Sequence, residues 1–429
     1  MAILLMVAGC NSSKMKVLNQ SDFPSPPLAE VIPSVFPEFG NERTDNYYWL
    51  RDKNDPKVIE YLNAENSYTD SVMSSTKELQ ETVYNEIMGR IKDADESYPL
   101  FENGYYYYSR TESGKQYRVY CRKKGSTDAP EEIIFDVNLM AEGKKAFRFA
   151  GYDVSPNNKL AAYAFNETGS FAEFFIKVRD LESGEELPVL IERASSFAWA
   201  NDNKTLFYTV VDNSLRPYKV YRHTLASGKK DEVVYEERDA RFNSYVYKSK
   251  TGDFIFFGSS STSTSEVSYI SANRPSEKPK VFLPRVQGVD YSIAHHKDMF
   301  YIKYKDSTHI NSMIYTAPLE GFADRTTWKV FVDHDPAVRI EGFDVLKNFV
   351  AVEVRKNGLN EIVIYNPANG KTAGINFPEP VYSVSLSGNP EYDAETIRYS
   401  YTSLNRPTTL YEYNMSTGES IVAGNCKSG

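Results

Sequence analysis

From about residue 100 onward, short runs of β-branched and aromatic residues return at a nearly constant interval, each followed by tight-turn chemistry. Gly104 to Arg110, Lys204 to Val210 and Asp253 to Gly258 are such runs, with the length and composition of half-buried strands. The turn pairs Ser183-Gly184, Ser227-Gly228, Glu320-Gly321, Asn369-Gly370 and Thr417-Gly418, with Ala272 to Pro275 as a degenerate member, lie roughly 44 to 49 residues apart, the interval of a four-stranded blade. A unit of that size cannot bury its apolar face alone and must stack on copies of itself. Dividing about 325 residues by about 46 predicts seven blades. The expectation is an all-β fold, a seven-bladed β-propeller over residues 99–424, followed by a tail at 425–429.

Ahead of the repeat the pattern changes. Residues 11–38 carry Pro24, Pro26, Pro27, Pro33 and Pro37 among serines and read as an extended tether. Residues 39–98 read as a short helical N-terminal strap. Asp55 and Pro56 offer an N-cap and a first-turn proline to one helix, whose period runs through Val58, Leu62 and Glu65 to Val72. Ser75 and Glu78 make a capping box for a second, with the stripe Leu79, Val83, Ile87 and Gly89 as its stop.

The 49 basic residues against 58 acidic ones leave a net charge of -9, which gives nucleic-acid binding no electrostatic support. Beyond the N-terminus no segment is apolar for the ~18 residues a membrane span needs. Residues 1–10 stand apart. The apolar run from Ala2 ends in Val7-Ala8-Gly9-Cys10, which resembles a bacterial lipobox. It reads as a lipoprotein signal with lipid attached to Cys10, holding the chain on a membrane face of the cell envelope by that anchor alone. The other reading is the short apolar start of a cytoplasmic protein, because the n-region has neither Lys nor Arg.

Chemistry is hard to find in the repeat. No Gly-x-Ser-x-Gly elbow occurs, so nothing raises a serine above a hydrolase sheet. The hydroxyl-rich run Gly258 to Ser265 has no positioned base and reads as a solvated strand and turn. His295 and His296 are adjacent, so on a strand they point to opposite faces and cannot chelate together. His334, between Asp333 and Asp335, reads as an inter-blade turn. No catalytic, cofactor-binding or metal-binding residue is expected.

The segments Asp45-Asn-Tyr-Tyr-Trp-Leu-Arg-Asp52 and Val58-Ile-Glu-Tyr-Leu-Asn-Ala-Glu-Asn66, then Phe197-Ala-Trp-Ala-Asn201, Pro217-Tyr-Lys-Val-Tyr-Arg-His223, Val281-Phe-Leu-Pro-Arg285 and Arg398-Tyr-Ser-Tyr-Thr-Ser403, resemble the N-terminal part of oligopeptidase B, a branch of the prolyl oligopeptidase family of serine peptidases. Phe39 before Gly40 departs from that pattern, where relatives commonly carry His. The resemblance covers residues from about 26 to 420. It implies a strap, a propeller that gates the active site and admits short peptides, and a C-terminal α/β-hydrolase domain that holds the Ser-Asp-His triad and the acidic residues for a basic side chain. None of those catalytic residues has a counterpart here, so a truncated frame, a fragment or a split gene is expected. The implied role is the gating, substrate-selecting portion of a peptidase cleaving short peptides after Arg or Lys, inactive without its hydrolase partner. Tyr47, Tyr48, Trp49, Leu50 and Arg51 are then the expected hydrolase-domain interface. The alternative is a cell-envelope propeller that binds a peptide or glycan and has no enzymatic role.

Overall fold

The computed structural model describes residues 24–91 and 94–425; Cys10 lies outside them. The chain divides into two compact units, one up to Ile91 and one from Lys92.

In the first unit Ser34–Glu38 pairs with Asn41–Asp45 in an antiparallel hairpin. Its tip is Phe39 and Gly40, both at positive φ, 50° and 81°, which a non-glycine residue adopts at some cost. The Tyr48–Arg51 turn is a single 3-10 turn. Helix α1 (Pro56–Met73) starts as its sequence suggests, with the Asp55 carboxylate accepting from the Lys57 N–H at 2.9 Å. The expected capping box at Ser75 and Glu78 does not form. Ser74–Thr76 instead tighten into a 3-10 turn, and the Thr76 hydroxyl donates backward to the Met73 carbonyl. Helix α2 (Lys77–Arg90) follows directly, so two expected helices make one helical run, and Gly89 lies inside it rather than stopping it.

The second unit corrects the blade count. Five four-stranded antiparallel sheets are present, together with one sheet of seven strands, rather than seven separate blades. We number the sheets by chain order: I (100–136), II (148–236, the seven-stranded one), III (243–281), IV (290–332), V (338–374) and VI (382–425). The cause of the merger lies in Ile191–Trp199. Ala194 pairs with Phe174 on one neighbour and with Val210 on the other, and Arg193 just before it has φ 56°. The strand therefore turns a corner there without leaving the hydrogen-bonded ladder. Elsewhere a connection of several residues separates one sheet from the next.

The recurring turns fall where one strand logic puts them. Gly184, Gly228, Gly321, Gly370 and Gly418, all at positive φ, follow the third strand of each repeat, and the Ala272 to Pro275 turn has the same place in sheet III.

Apolar packing runs between sheets. Phe135 of sheet I packs with Tyr163 and Phe165 of sheet II; Phe207 and Val220 with Ile255 and Phe257 of sheet III; Phe256 and Phe282 with Tyr291 and Phe300 of sheet IV. Tyr301 and Ile314 pack with Ile340 and Val352 of sheet V, and Ile362 and Ile364 with Ile397 and Tyr401 of sheet VI. Sheet VI returns to sheet I and closes a ring. There the Arg398 guanidinium donates to the Pro99 carbonyl at 3.1 Å and stacks on Tyr98. Among the described residues no buried apolar cluster bridges this seam. A cavity of about 830 Å3, lined in part by Tyr98, Phe101, Glu391 and Arg398, lies along it.

Candidate functional site: a ring with two unlike ends

The first strand of each repeat is innermost, and alternating strand direction gives the ring two ends. At one, which we call the hairpin end, each inner strand turns into its neighbour. At the other, the crossover end, lie the sheet-to-sheet connections and the turns between second and third strands. The last strand, Ser420–Asn425, is a fourth strand and runs toward the crossover end.

The crossover end exposes large apolar side chains. Leu139, Val286 and Val381 sit in sheet connections, and Phe171, Ile310 and Leu404 in second-to-third strand turns; Phe171 is 72% exposed and Leu404 99%. A group of apolar residues gathered on one end of a molecule, where single scattered ones are normal, marks a surface that meets another. Beneath them is a buried polar anchor. Glu237 is 4% exposed and pairs with the Arg285 guanidinium, which also stacks over Phe242 at 4.0 Å. Ser259 donates to the same carboxylate at 2.5 Å, and Tyr235 reaches Ser259 at 2.7 Å. These bonds hold the Glu237 carboxyl below its usual range despite its burial, which acts the other way.

This anchor corrects the reading of the hydroxyl-rich run. Ser259, Thr264 and Ser265 are buried rather than solvated. The hydroxyls serve sheet III and its neighbours: Ser265 donates to the Tyr291 carbonyl at 3.0 Å, and Thr264 accepts from the Gly288 N–H.

At the hairpin end the last residues of the inner strands bring charges toward the ring axis. Glu102, Asp153 and Lys248 come from sheets I, II and III. Burial pushes the Asp153 carboxyl up to about 7, reinforced by Glu102 and opposed by Lys248. Burial likewise raises Glu102 and lowers Lys248. Three further contacts join sheets across this end. The Lys250 ammonium of sheet III pairs with Asp344 of sheet V. His296 Nδ1 of sheet IV meets the Tyr392 hydroxyl of sheet VI at 2.9 Å. The backbone N–H of Asn103 in sheet I donates to Glu391 of sheet VI at 2.5 Å.

His295 and His296 do diverge. His295 Nδ1 lies 2.7 Å from the Thr251 hydroxyl while His296 faces Tyr392. His334 falls in the connection between sheets IV and V, edge-on to His309. Neither periodicity nor motif pointed to Asp153 or Tyr392, and the segment Val234 to Glu237 resembled the family without showing that Glu237 pairs with Arg285, 48 residues away.

In the first unit Tyr48, Trp49 and Leu50 are half-buried, and Tyr47 and Arg51 exposed. The Trp49 indole N–H donates to the Glu30 carbonyl at 2.9 Å and its ring meets Tyr61 edge-on. Tyr48 packs on Phe36 at 4.5 Å and hydrogen-bonds Arg51. These aromatics are therefore engaged inside their own unit. The uncovered apolar face is on α2, where Leu79, Tyr84 and Ile87 are each more than half exposed.

Residues 26–424 match the prolyl oligopeptidase N-terminal β-propeller domain. The chain belongs to that family. This propeller is 35% identical over 417 residues to dipeptidyl aminopeptidase BI of Pseudoxanthomonas mexicana and 30% identical over 402 residues to protease 2 of Moraxella lacunata, covering 92% of this chain and 57% of each relative. Oligopeptidase B from Leishmania major superposes with a TM-score of 0.88 at 27% identity, over 94% of this chain and 61% of that one. The prolyl oligopeptidase propeller described here thus spans little more than half the length of the curated relatives it matches.

Proposed function

We propose that this propeller is the gating, substrate-selecting portion of an oligopeptidase B-like serine endopeptidase that cleaves short peptides after Arg or Lys. Catalysis would belong to an α/β-hydrolase domain corresponding to the part of the relatives that this chain does not span. The observation that carries the reading is the crossover end. Its exposed apolar residues and the direction of the last strand meet at one face, so a domain following the propeller would emerge where the apolar surface is. The exposed α2 face, with Tyr47 and Arg51, is a second surface for the same domain. Lipidation at Cys10 and placement in the cell envelope belong to this proposal as well, and detection of a diacylated Cys10 by mass spectrometry of protein from its host tests them.

Catalysis needs a nucleophile, a base and oxyanion donors within reach of one another. The chain by itself should therefore turn over neither Arg- nor Lys-ending amide substrates. Mixing it with a separately produced hydrolase portion of the protease 2 relative should give a complex by calorimetry, and activity on short basic peptides but not on folded proteins. Equal activity of the hydrolase portion on short peptides and on folded proteins, with and without the propeller, would remove the gating role. The 35% identical relative carries an aminopeptidase name, so release of dipeptides from free N-termini is the outcome that would redirect the reading of cleavage mode.

A further inference from the structure

The cavity of about 830 Å3 beside Tyr98 has the volume of a small-molecule site, and its walls are of two kinds. Leu100, Phe101 and Tyr106 of sheet I, with Tyr98 just before them, supply apolar and aromatic surface; the Phe101 and Tyr106 rings meet at 4.9 Å. The sheet VI side supplies charge. Glu391, Asp393, Glu395 and Glu412 line it, against the single guanidinium of Arg398 among the lining residues. Four carboxylates facing one cation favour a positively charged occupant and repel a negative one. Two of the four are already engaged: Arg398 pairs with Glu412 at 2.6 Å, and Lys347 reaches in to Asp393 at 2.7 Å. Glu391 accepts a backbone N–H, that of Asn103. Glu395 is exposed and belongs to no ion pair among the described residues.

The same wall shows which cation fits. The Arg398 guanidinium lies over the Tyr98 ring at 4.6 Å while Glu412 fixes its edge, so one flat cation is already held between an aromatic face and a carboxylate. Phe101, Tyr106, Glu391 and Glu395 offer those two elements again without a cation of their own. We propose that this cavity is a recognition site for the arginine side chain of a peptide, with the guanidinium toward Glu391 and Glu395 and the alkyl stem on Phe101 and Tyr106. A guanidinium is planar and weakly hydrated, stacks on rings and meets a carboxylate at two points, whereas an ammonium holds its water more tightly. The stem covers apolar surface that no charged group can. The cavity includes the inner turn of sheet VI, 387–395, and so lies at the hairpin end. Binding there needs neither docking nor catalysis, and it stands or falls apart from the gating reading.

The test is calorimetry on the full chain with acetyl-Gly-Arg-Gly-amide, which has no free terminus, beside the same peptide carrying lysine or citrulline in place of arginine. Citrulline keeps the shape and loses the charge. The arginine peptide should bind saturably, one to one, with the lysine peptide about threefold weaker and the citrulline peptide about tenfold weaker. Glu391→Gln and Glu395→Gln should each weaken the arginine peptide about fivefold and Phe101→Ala about threefold. Glu277→Gln, in the turn after the third strand of sheet III, should change nothing. Because Glu395 is exposed, its variant should keep the parent's urea midpoint and decides the matter if another variant does not fold. No saturable binding at about 10 mM peptide, equal affinity for the lysine or citrulline peptide, or unaltered affinity in the glutamate variants would overturn the proposal.

Discussion

The two ends of this ring are built from the same strands and differ in what their turns carry. Connections at the crossover end present Leu139, Phe171, Ile310 and Leu404 to solvent, above the buried Glu237 and its half-buried partner Arg285. At the hairpin end, polar side chains on or beside the inner turns reach one another: Lys250 to Asp344, His296 to Tyr392. An end that satisfies its own groups has little to offer a partner, and an end that leaves apolar groups in water has a reason to acquire one. The asymmetry separates an end with exposed apolar groups from an end whose polar groups meet one another.

That contrast can be broken most sharply at Glu237. Replacing it with alanine removes the buried carboxylate and leaves Arg285 only its 3.6 Å pairing with Glu266, and the chain should lose about 3 kcal/mol of stability in urea titration. Asp344→Ala at the hairpin end, where the carboxylate side chain is 19% exposed against 5% for that of Glu237, should cost well under half of that. Equal costs would mean that the two ends are anchored alike. The next effect is on docking. Phe171→Asp with Leu404→Asp should leave stability within about 0.5 kcal/mol and weaken association with a hydrolase portion by about 2 kcal/mol. Unchanged calorimetric affinity would move the docking face elsewhere.

Asp153 tests the hairpin end. Its carboxyl holds a proton up to about 7 when folded, against 3.8 as the ordinary value, so ionising it costs stability as pH rises from about 4 to 7. Asp153→Asn should therefore stabilise the chain by about 1 to 2 kcal/mol at pH 8, and the gain should vanish near pH 4. The smallest effect belongs to His296, whose proton affinity is lowered by burial first and then by Lys297 and His295. The unfolded chain takes up that proton as pH falls below 6.5 while the folded one resists, so the contact between His296 and Tyr392 should weaken on acidification. Hydrogen exchange at 387–395 should be faster at pH 5.5 than at pH 7.5, after correction for intrinsic rates. A His296→Gln variant should lose that dependence.

Much of this was legible because it is local. Turn chemistry needs only two or three adjacent residues, and Gly228 or Gly370 marks its turn by the positive φ that other residues avoid. The same logic explains the miscounted sheets. The corner in Ile191–Trp199 is made at Arg193, a residue with no turn signature, so nothing in the sequence shows that sheet II continues through it. Ser75 and Glu78 failed for a related reason: a capping box can end one helix and start another, but Ser74 keeps helical angles (φ -55°, ψ -35°) and the run continues. The contacts that distinguish the two ends join residues 48 to 96 positions apart, as with Glu237 and Arg285 or His296 and Tyr392. Periodicity reports which face of a strand is apolar and is silent about which distant turn a side chain will meet.

Apolar clusters shared between neighbouring sheets, at every junction but one, also decide how this molecule comes apart. A sheet whose core is half its neighbour's cannot melt alone, so disruption begun at any of those five junctions must spread to both sides. At the seam between sheets VI and I there is no such obligation. Among the described residues the ring is circular in shape yet linear in its shared apolar clusters. Its first melted segments should be sheets I and VI, and damage in the middle of the chain should be felt more widely than damage at either end.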